Sequence, residues 1–251
     1  MSPNPWFICP QTRPEAHARL FLFPYAGGGP AVFNKWTPQL PRNLEAWTAH
    51  YPGRGSRHHE TPIRQMTPLV EGLAQAMQPL LDKPYAFFGH SLGALVAYEL
   101  ARFLCRNHFD QPKILFVSAC GAPHRPDPHP PIHRLSDVEF INSLQELNGI
   151  PSELMQRLDV IQLFLHTLRA DFEIVETYHH DAGESVLPFP IVAFGGLDDP
   201  RVSRERLEDW CLQTSSSFRS QYFSGDHFFL NTSHESLIHL IVTEVANYAK
   251  N

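Results

Sequence analysis

Residues 87–93, Phe-Phe-Gly-His-Ser-Leu-Gly, constrain the fold more than any other stretch: an apolar run breaks into Gly-x-Ser-x-Gly and at once becomes a helical pattern. A serine between two glycines at such a junction marks a sharp strand-to-helix turn that presents the side chain, the glycines leaving room for neighbouring backbone. Upstream, Tyr85-Ala86-Phe87-Phe88 follows Pro84 and carries no charge, as a strand covered on both faces of a parallel sheet requires. Downstream, Leu92, Leu95, Val96, Leu100, Phe103 and Leu104 recur at helical spacing with Glu99, Arg102 and Arg106 between them. That is an amphipathic helix whose N-terminus points at Ser91. A plain buried strand–helix unit would explain the hydrophobic pattern but not the serine. Ser91 is the candidate nucleophile.

The same alternation runs through the rest of the chain. Arg19-Leu20-Phe21-Leu22-Phe23-Pro24 reads as a buried strand that ends in Tyr25-Ala26-Gly27-Gly28-Gly29. Three glycines after a strand let backbone approach a ligand closely. A Walker-type phosphate loop would need Gly-Lys-Ser/Thr, whereas this loop continues Pro30-Ala31-Val32, so an oxyanion loop is the better reading. The pattern predicts a helix over about 31–40, a strand over 44–51 and a turn at Pro52-Gly53-Arg54-Gly55. Further elements are a helix over 67–81, a strand over 114–119, a strand over 190–194, a helix over 204–212, a strand over 219–223 and a last helix over 236–249. Strands alternating with helices imply a mostly parallel, doubly wound sheet.

After Ala119 that rhythm stops. Residues 121–133 contain five prolines, too many for a helix or a central strand, and read as an exposed, mobile rim. Ser136-Asp137-Val138-Glu139 is a capping box that opens a helix to about Leu147. Gly149-Ile150-Pro151 stops it, Ser152 starts a short helix, and a long one spans about 159–179. A purely helical insertion of this kind, about 121–185 within a single domain of 1–251, reads as a lid over an apolar chamber.

Charge and cysteine usage then exclude several classes. A net charge of −6 leaves no broad basic face for nucleic acid. No apolar stretch is long enough to span a bilayer and no leader pattern follows Met1, so a cytoplasmic protein without membrane attachment is expected. Cys9, Cys105, Cys120 and Cys211 are scattered, and the 15 histidines lack a metal-ligand spacing, so neither a disulfide framework, a metal nor a cofactor is expected.

A nucleophilic serine needs a base to take its proton and a carboxylate to orient that base. α/β-Hydrolases place them in the order serine, acid, histidine at the ends of successive strands, and here Ser91, Asp198 or Asp199, and His227 stand in that order. Gly196, Asp199 and Val202 match the spacing usual around the acid, which selects Asp199 and leaves Asp198 to the turn. His90, beside the nucleophile, shapes the elbow. Backbone N–H groups of Ala26 and Leu92 are the expected oxyanion donors.

The chain resembles the stand-alone type II thioesterases that accompany non-ribosomal peptide and polyketide synthases. The resemblance covers nearly the whole chain, through Phe23-Pro24-Tyr25-Ala26-Gly27-Gly28, Tyr51-Pro52-Gly53-Arg54-Gly55-Ser56-Arg57, Phe88-Gly89-His90-Ser91-Leu92-Gly93-Ala94, Leu168-Arg169-Ala170-Asp171-Phe172 and Gly225-Asp226-His227-Phe228-Phe229-Leu230. It implies hydrolysis of acyl or aminoacyl thioesters on the phosphopantetheine arm of carrier proteins, clearing stalled or misprimed synthases of antibiotic or siderophore pathways. The partner would be an acyl or peptidyl carrier protein and the enzyme a monomer. Carrier proteins being acidic, Arg54, Arg57, Arg125 or Arg134 are candidates for a basic mouth. Two positions depart from the family pattern. Tyr25 replaces a frequent histidine and is expected to change only the loop surface. Asp226 replaces a frequent glycine and would put a carboxylate beside the base, favouring its charged form. Rival readings are a carboxylester hydrolase or lipase, an acyltransferase, and a non-catalytic binding module.

Overall fold

In the computed structural model, which describes residues 4–146, 158–183 and 185–248, the apolar runs become strands of one sheet. They are β1 (Phe7–Ile8), β2 (Ala18–Phe23), β3 (Leu44–Ala49), β4 (Tyr85–His90), β5 (Leu115–Ser118), β6 (Ile191–Gly196) and β7 (Phe218–Phe223). Their spatial order is β1-β3-β2-β4-β5-β6-β7, parallel throughout except that β1 runs antiparallel to β3. This is an α/β-hydrolase arrangement. The edge strand β1 escapes a sequence reading because two residues among prolines show no periodicity. Its place is fixed by pairing alone, Phe7 opposite Ala49, with the His50 N–H donating to the Trp6 carbonyl at 2.8 Å.

The helices are α1 (Met66–Met77), α2 (Leu92–Arg106), α3 (Asp137–Glu146), α4 (Leu158–Glu176), α5 (Arg204–Glu208), α6 (Phe229–Thr232) and α7 (His234–Tyr248). Phe21, Phe23, Phe87, Val117 and Ala193 face α1 and α2 on one side of the sheet, and Leu20, Leu22, Phe88, Phe116 and Phe194 join α7 on the other. Both faces are covered, which is why the central strands read as unbroken apolar runs. The helix expected over 31–40 is instead two short 3-10 turns, Pro30–Phe33 and Thr37–Gln39. Pro30 opens the first turn and Pro38 is the second residue of the other, and a proline has no N–H with which to continue a helical ladder. The stretch expected as one helix from Arg204 likewise splits into α5 and a 3-10 turn at Asp209–Gln213. The short helix expected from Ser152 falls outside the described residues.

Between β5 and β6 the chain leaves the sheet. The capping box forms as the residues demand: the Ser136 N–H and hydroxyl donate to Glu139 Oε2 at 3.1 and 2.7 Å, and the Glu139 N–H returns to Ser136 Oγ at 3.4 Å. Ile132, Phe140, Leu144, Leu165, Leu168 and Phe172 give the α3–α4 insertion its own apolar cluster. α4 is also fastened to the body, with the Thr167 hydroxyl donating to the Gly53 carbonyl at 2.8 Å and Arg64 pairing with Glu173 at 2.6 Å.

The topology places the site. From β2 the chain moves to one side as β3 and returns on the other as β4, so the loops leaving β2 and β4 diverge at the carboxyl edge of the sheet. Open α/β sheets form their ligand crevice at such a switch point.

Candidate active site

Ser91 stands between β4 and α2 with φ 54° and ψ −119°, a left-handed conformation that strains a non-glycine residue. The surroundings hold it there: its N–H donates to the Ser118 carbonyl at 2.8 Å, and its carbonyl accepts the Ala94 N–H at 2.9 Å. Both neighbouring glycines are required. A Cβ at Gly89 would lie 2.1 Å from the Gly93 carbonyl oxygen, and one at Gly93 would lie 2.0 Å from that of Phe23. Backbone fills the space a side chain would need.

The loop after β7 brings His227 to this serine, and the loop after β6 brings Asp199 to the histidine. Ser91 Oγ is 3.0 Å from His227 Nε2, and His227 Nδ1 is 2.9 Å from Asp199 Oδ2. The other Asp199 oxygen accepts the Arg201 N–H at 2.8 Å. The histidine and aspartate side chains are 5% and 1% exposed. Asp198 lies outside the chain of hydrogen bonds: its residue is exposed, and its N–H donates to the Gly225 carbonyl at 3.0 Å. Close approach of the two loops depends on Gly196, where a Cβ would lie 2.4 Å from the Asp226 carbonyl oxygen.

Burial alone would raise the Asp199 pKa, but the hydrogen bond and charge of His227 and the Arg201 N–H outweigh it, so the carboxyl sits below its usual range and is ionised. An ionised carboxylate accepts Nδ1–H, which leaves Nε2 as the atom able to take a proton from Ser91. His90 points away from the serine. Its Nδ1 accepts from the Ser118 hydroxyl and its Nε2–H donates to the His227 carbonyl, both at 2.9 Å, so it props the loop that carries His227. Complete burial, reinforced by nearby His227, lowers the His90 pKa to about 3.

The first glycine loop closes a turn in which the Gly28 N–H donates to the Tyr25 carbonyl at 2.9 Å and Gly27 takes φ 76°. Neither the Ala26 N–H nor the Leu92 N–H, the latter in the first turn of α2, has an acceptor among the described residues. Both remain available to a ligand. A cavity of about 120 Å³ runs from Ser91 and His227 past Leu95, Cys120, Val175 and Tyr178. Among the described residues, no three His, Cys, Asp or Glu side chains cluster as a metal site would need, and no helix is long and apolar enough to cross a membrane.

Two expectations require correction. Arg54 and Arg57 cannot line a basic mouth, because both are buried; Arg57 is held by Glu60 and the His50 carbonyl. Arg125 is half exposed and pairs with Asp209 at 2.6 Å, while Arg134 is exposed. Tyr25 is more than loop surface, since its ring packs edge-on against His90 and Phe228 at 5.8 and 5.1 Å, and burial raises its pKa. Asp226 directs its carboxylate to the Phe228 N–H at 2.8 Å, shaping the turn after the histidine.

One arrangement is absent from the sequence reading. Arg54 and Asp171 form a buried bidentate pair, with Nη1 to Oδ2 and Nη2 to Oδ1 both 2.7 Å. The signal was present as opposite charges in two segments foreign to general hydrolases, but 117 positions apart.

Comparison with known proteins agrees with this architecture. Residues 18–244 match the thioesterase domain family. Linear gramicidin dehydrogenase LgrE of Brevibacillus parabrevis is 39% identical over 99% of this chain and 95% of its own. Among solved structures, the RedJ thioesterase from the prodiginine pathway of Streptomyces coelicolor is 36% identical with a TM-score of 0.85, covering 91% of this chain and 86% of that one. YbtT, the type II thioesterase from the yersiniabactin NRPS/PKS pathway, is 31% identical with a TM-score of 0.84, covering 95% and 97%. With its strand order, its serine turn and this family match, the chain belongs to the thioesterase family.

Proposed function

We propose that this protein is a type II serine thioesterase that hydrolyses acyl or aminoacyl thioesters on the phosphopantetheine arms of carrier proteins and thereby clears stalled or misprimed non-ribosomal peptide or polyketide synthases. The observation that carries the reading is the continuous hydrogen-bonded chain from Ser91 Oγ through His227 to Asp199. His227 Nε2 takes the hydroxyl proton as Ser91 Oγ bonds to the thioester carbonyl carbon. The carbonyl oxygen becomes an oxyanion within reach of the Ala26 and Leu92 N–H groups. Collapse breaks the carbon–sulfur bond, and His227 returns its proton to the leaving thiol. A water molecule, deprotonated by the same nitrogen, then attacks the acyl-enzyme, releasing the acid and restoring the Ser91 hydroxyl. These steps use only groups of this chain and water. Asp199 holds the imidazole in the right tautomer and stabilises its cation throughout.

Turnover of acyl and aminoacyl carrier proteins, followed by intact mass, tests the reading with Ser91→Ala as control. The expected result is loss of the acyl mass from the carrier with free acid as product, and none with Ser91→Ala. Preference for oxygen esters of matched chain length, transfer of the acyl group to an alcohol or amine, or turnover by Ser91→Ala would overturn it. Because LgrE is named a dehydrogenase, nicotinamide oxidation is followed in the same assay, and reduction of the acyl group to an aldehyde would also reject hydrolysis.

A further inference from the structure

The segments Pro52-Gly53-Arg54 and Arg169-Ala170-Asp171 have no part in the serine chemistry, yet they meet at the first glycine loop. We infer that Asp171 and Arg54 are positioning residues that fix the peptide groups of the oxyanion loop, so that the inserted helix α4 completes the active site as well as covering it. The inference rests on the serine thioesterase reading above.

The pair grips two consecutive residues of the loop with opposite charges. Asp171 Oδ2 accepts the Gly27 N–H at 2.7 Å, and Arg54 Nη1 donates to the Gly28 carbonyl at 3.0 Å. Donor meets anion and acceptor meets cation. Tyr25 to Gly28 is a turn whose third residue, Gly27, has positive φ, as a type II turn requires. Glycine is equally able to adopt negative φ, so the turn itself does not decide which way the Ala26–Gly27 peptide faces. The bond to Asp171 decides it. Ala26, whose N–H is the candidate donor, is the residue immediately before this fixed amide.

Two further observations show that the contact is built into the fold. Leu168 lies one turn before Asp171 on the same face of α4, and a Cβ at Gly27 would come within 2.5 Å of its Cδ2. Arg54 lies over the Tyr51 ring at 5.1 Å, and the His50 Nε2–H donates to its carbonyl at 2.9 Å, with burial lowering the His50 pKa. The Arg54 and Asp171 side chains are 4% and 2% exposed. A bare carboxylate at this depth would oppose an oxyanion nearby. Two guanidinium hydrogen bonds pair Asp171 with Arg54, so that the pair as a whole brings no net charge to the site.

A buried strut and a positioning pair differ in a measurable way. Breaking one half of a buried ion pair destabilises a fold, whereas replacing both halves with apolar side chains is often neutral. The double variant Arg54→Met/Asp171→Leu therefore separates the roles. Its thermal midpoint is expected to recover most of what Asp171→Leu alone loses. Its kcat on an acyl-pantetheine thioester is expected to stay about 10- to 100-fold below wild type, with KM within about threefold, the scale of misplacing one oxyanion donor. An alkyl boronic acid, which forms a tetrahedral adduct on the serine, should lose affinity in step with kcat/KM. Wild-type kcat in the folded double variant would overturn the inference. If the double variant does not fold, Arg54→Lys decides, because lysine keeps the charge but cannot hold both Asp171 oxygens and Gly28 together. Lowered kcat with unchanged KM supports positioning, and unchanged kcat refutes it. Turnover by Ser91→Ala in the same series would refute the serine mechanism instead, so the two failures are distinguishable.

Discussion

Acid is expected to destabilise this protein through a histidine that transfers no proton. His90 is fully buried between the Ser118 hydroxyl and the His227 carbonyl, and burial together with nearby His227 lowers its pKa to about 3. In the unfolded chain the same imidazole titrates near 6.5. As pH falls below that value the unfolded state binds the proton and the folded state does not, so stability is full above about 6.5 and is lost progressively toward 3. At 1.36 kcal/mol per unit the whole window is worth about 5 kcal/mol, and the portion lost between pH 7 and pH 5 is about 2 kcal/mol. Urea unfolding followed by tryptophan fluorescence at pH 7, 6 and 5 measures it, with His90→Gln as reference. Wild type is expected to lose about 2 kcal/mol more than the variant over that range. His50 and His180, also lowered by burial, titrate in both proteins and cancel in the difference. Asp199 is held below the ordinary carboxylate range, so its contribution is lost only at lower pH. Parallel pH dependences of wild type and His90→Gln would refute the reasoning.

Three substitutions test the local geometry. Gly93→Ala places a methyl group against the Phe23 carbonyl oxygen at 2.0 Å, where only backbone movement gives relief. The expected cost is about 3 kcal/mol, or about 6–12 °C in Tm by differential scanning calorimetry, and a midpoint within 2 °C of wild type contradicts the packing argument. Asp199→Asn presents an amide N–H in place of a carboxylate oxygen to His227 Nδ1, favouring the wrong tautomer, and is expected to lower kcat by about 10³–10⁴, while Asp198→Asn stays within about twofold. Steady-state kinetics giving the reverse order would reassign the acid.

How much of this was legible in the sequence depends on the range of the interactions involved. β4 and α2 could be read because the switch from an apolar run to helical spacing is local, and the serine between glycines marks the joint. Asp199 and His227 could be proposed because strand ends are local too, and the spacing of Gly196, Asp199 and Val202 picks out the aspartate that is hydrogen-bonded to His227. β1 has no pattern of its own and exists by pairing with β3. Arg54 and Arg57 look like surface charges in sequence, because Asp171 stands 117 positions from Arg54 and Glu60, which holds Arg57, is itself exposed. Periodicity carried the framework, while the partners of buried charges had to be seen.

Strand register explains why such distant residues converge. In the β2–β4 ladder Phe23 is paired with Gly89, and the candidate oxyanion donors Ala26 and Leu92 each lie three residues beyond that pair. In the β6–β7 ladder Gly196 is paired with Phe223; Asp199 follows the first by three residues and His227 follows the second by four. The middle of the sheet links these two halves, since His90 is paired with Ser118 and its ring also reaches the His227 carbonyl. A slip of one residue in either ladder would displace one partner by about 3.3 Å, more than a hydrogen bond tolerates, and would also turn a buried face outward. In the β2–β4 ladder register is secured because both faces are packed, Phe21 and Phe87 on one side and Leu20 and Phe88 on the other. The aromatic core of the sheet therefore positions the candidate site at a distance: it holds the ladders in step, and the ladders set where four loops end.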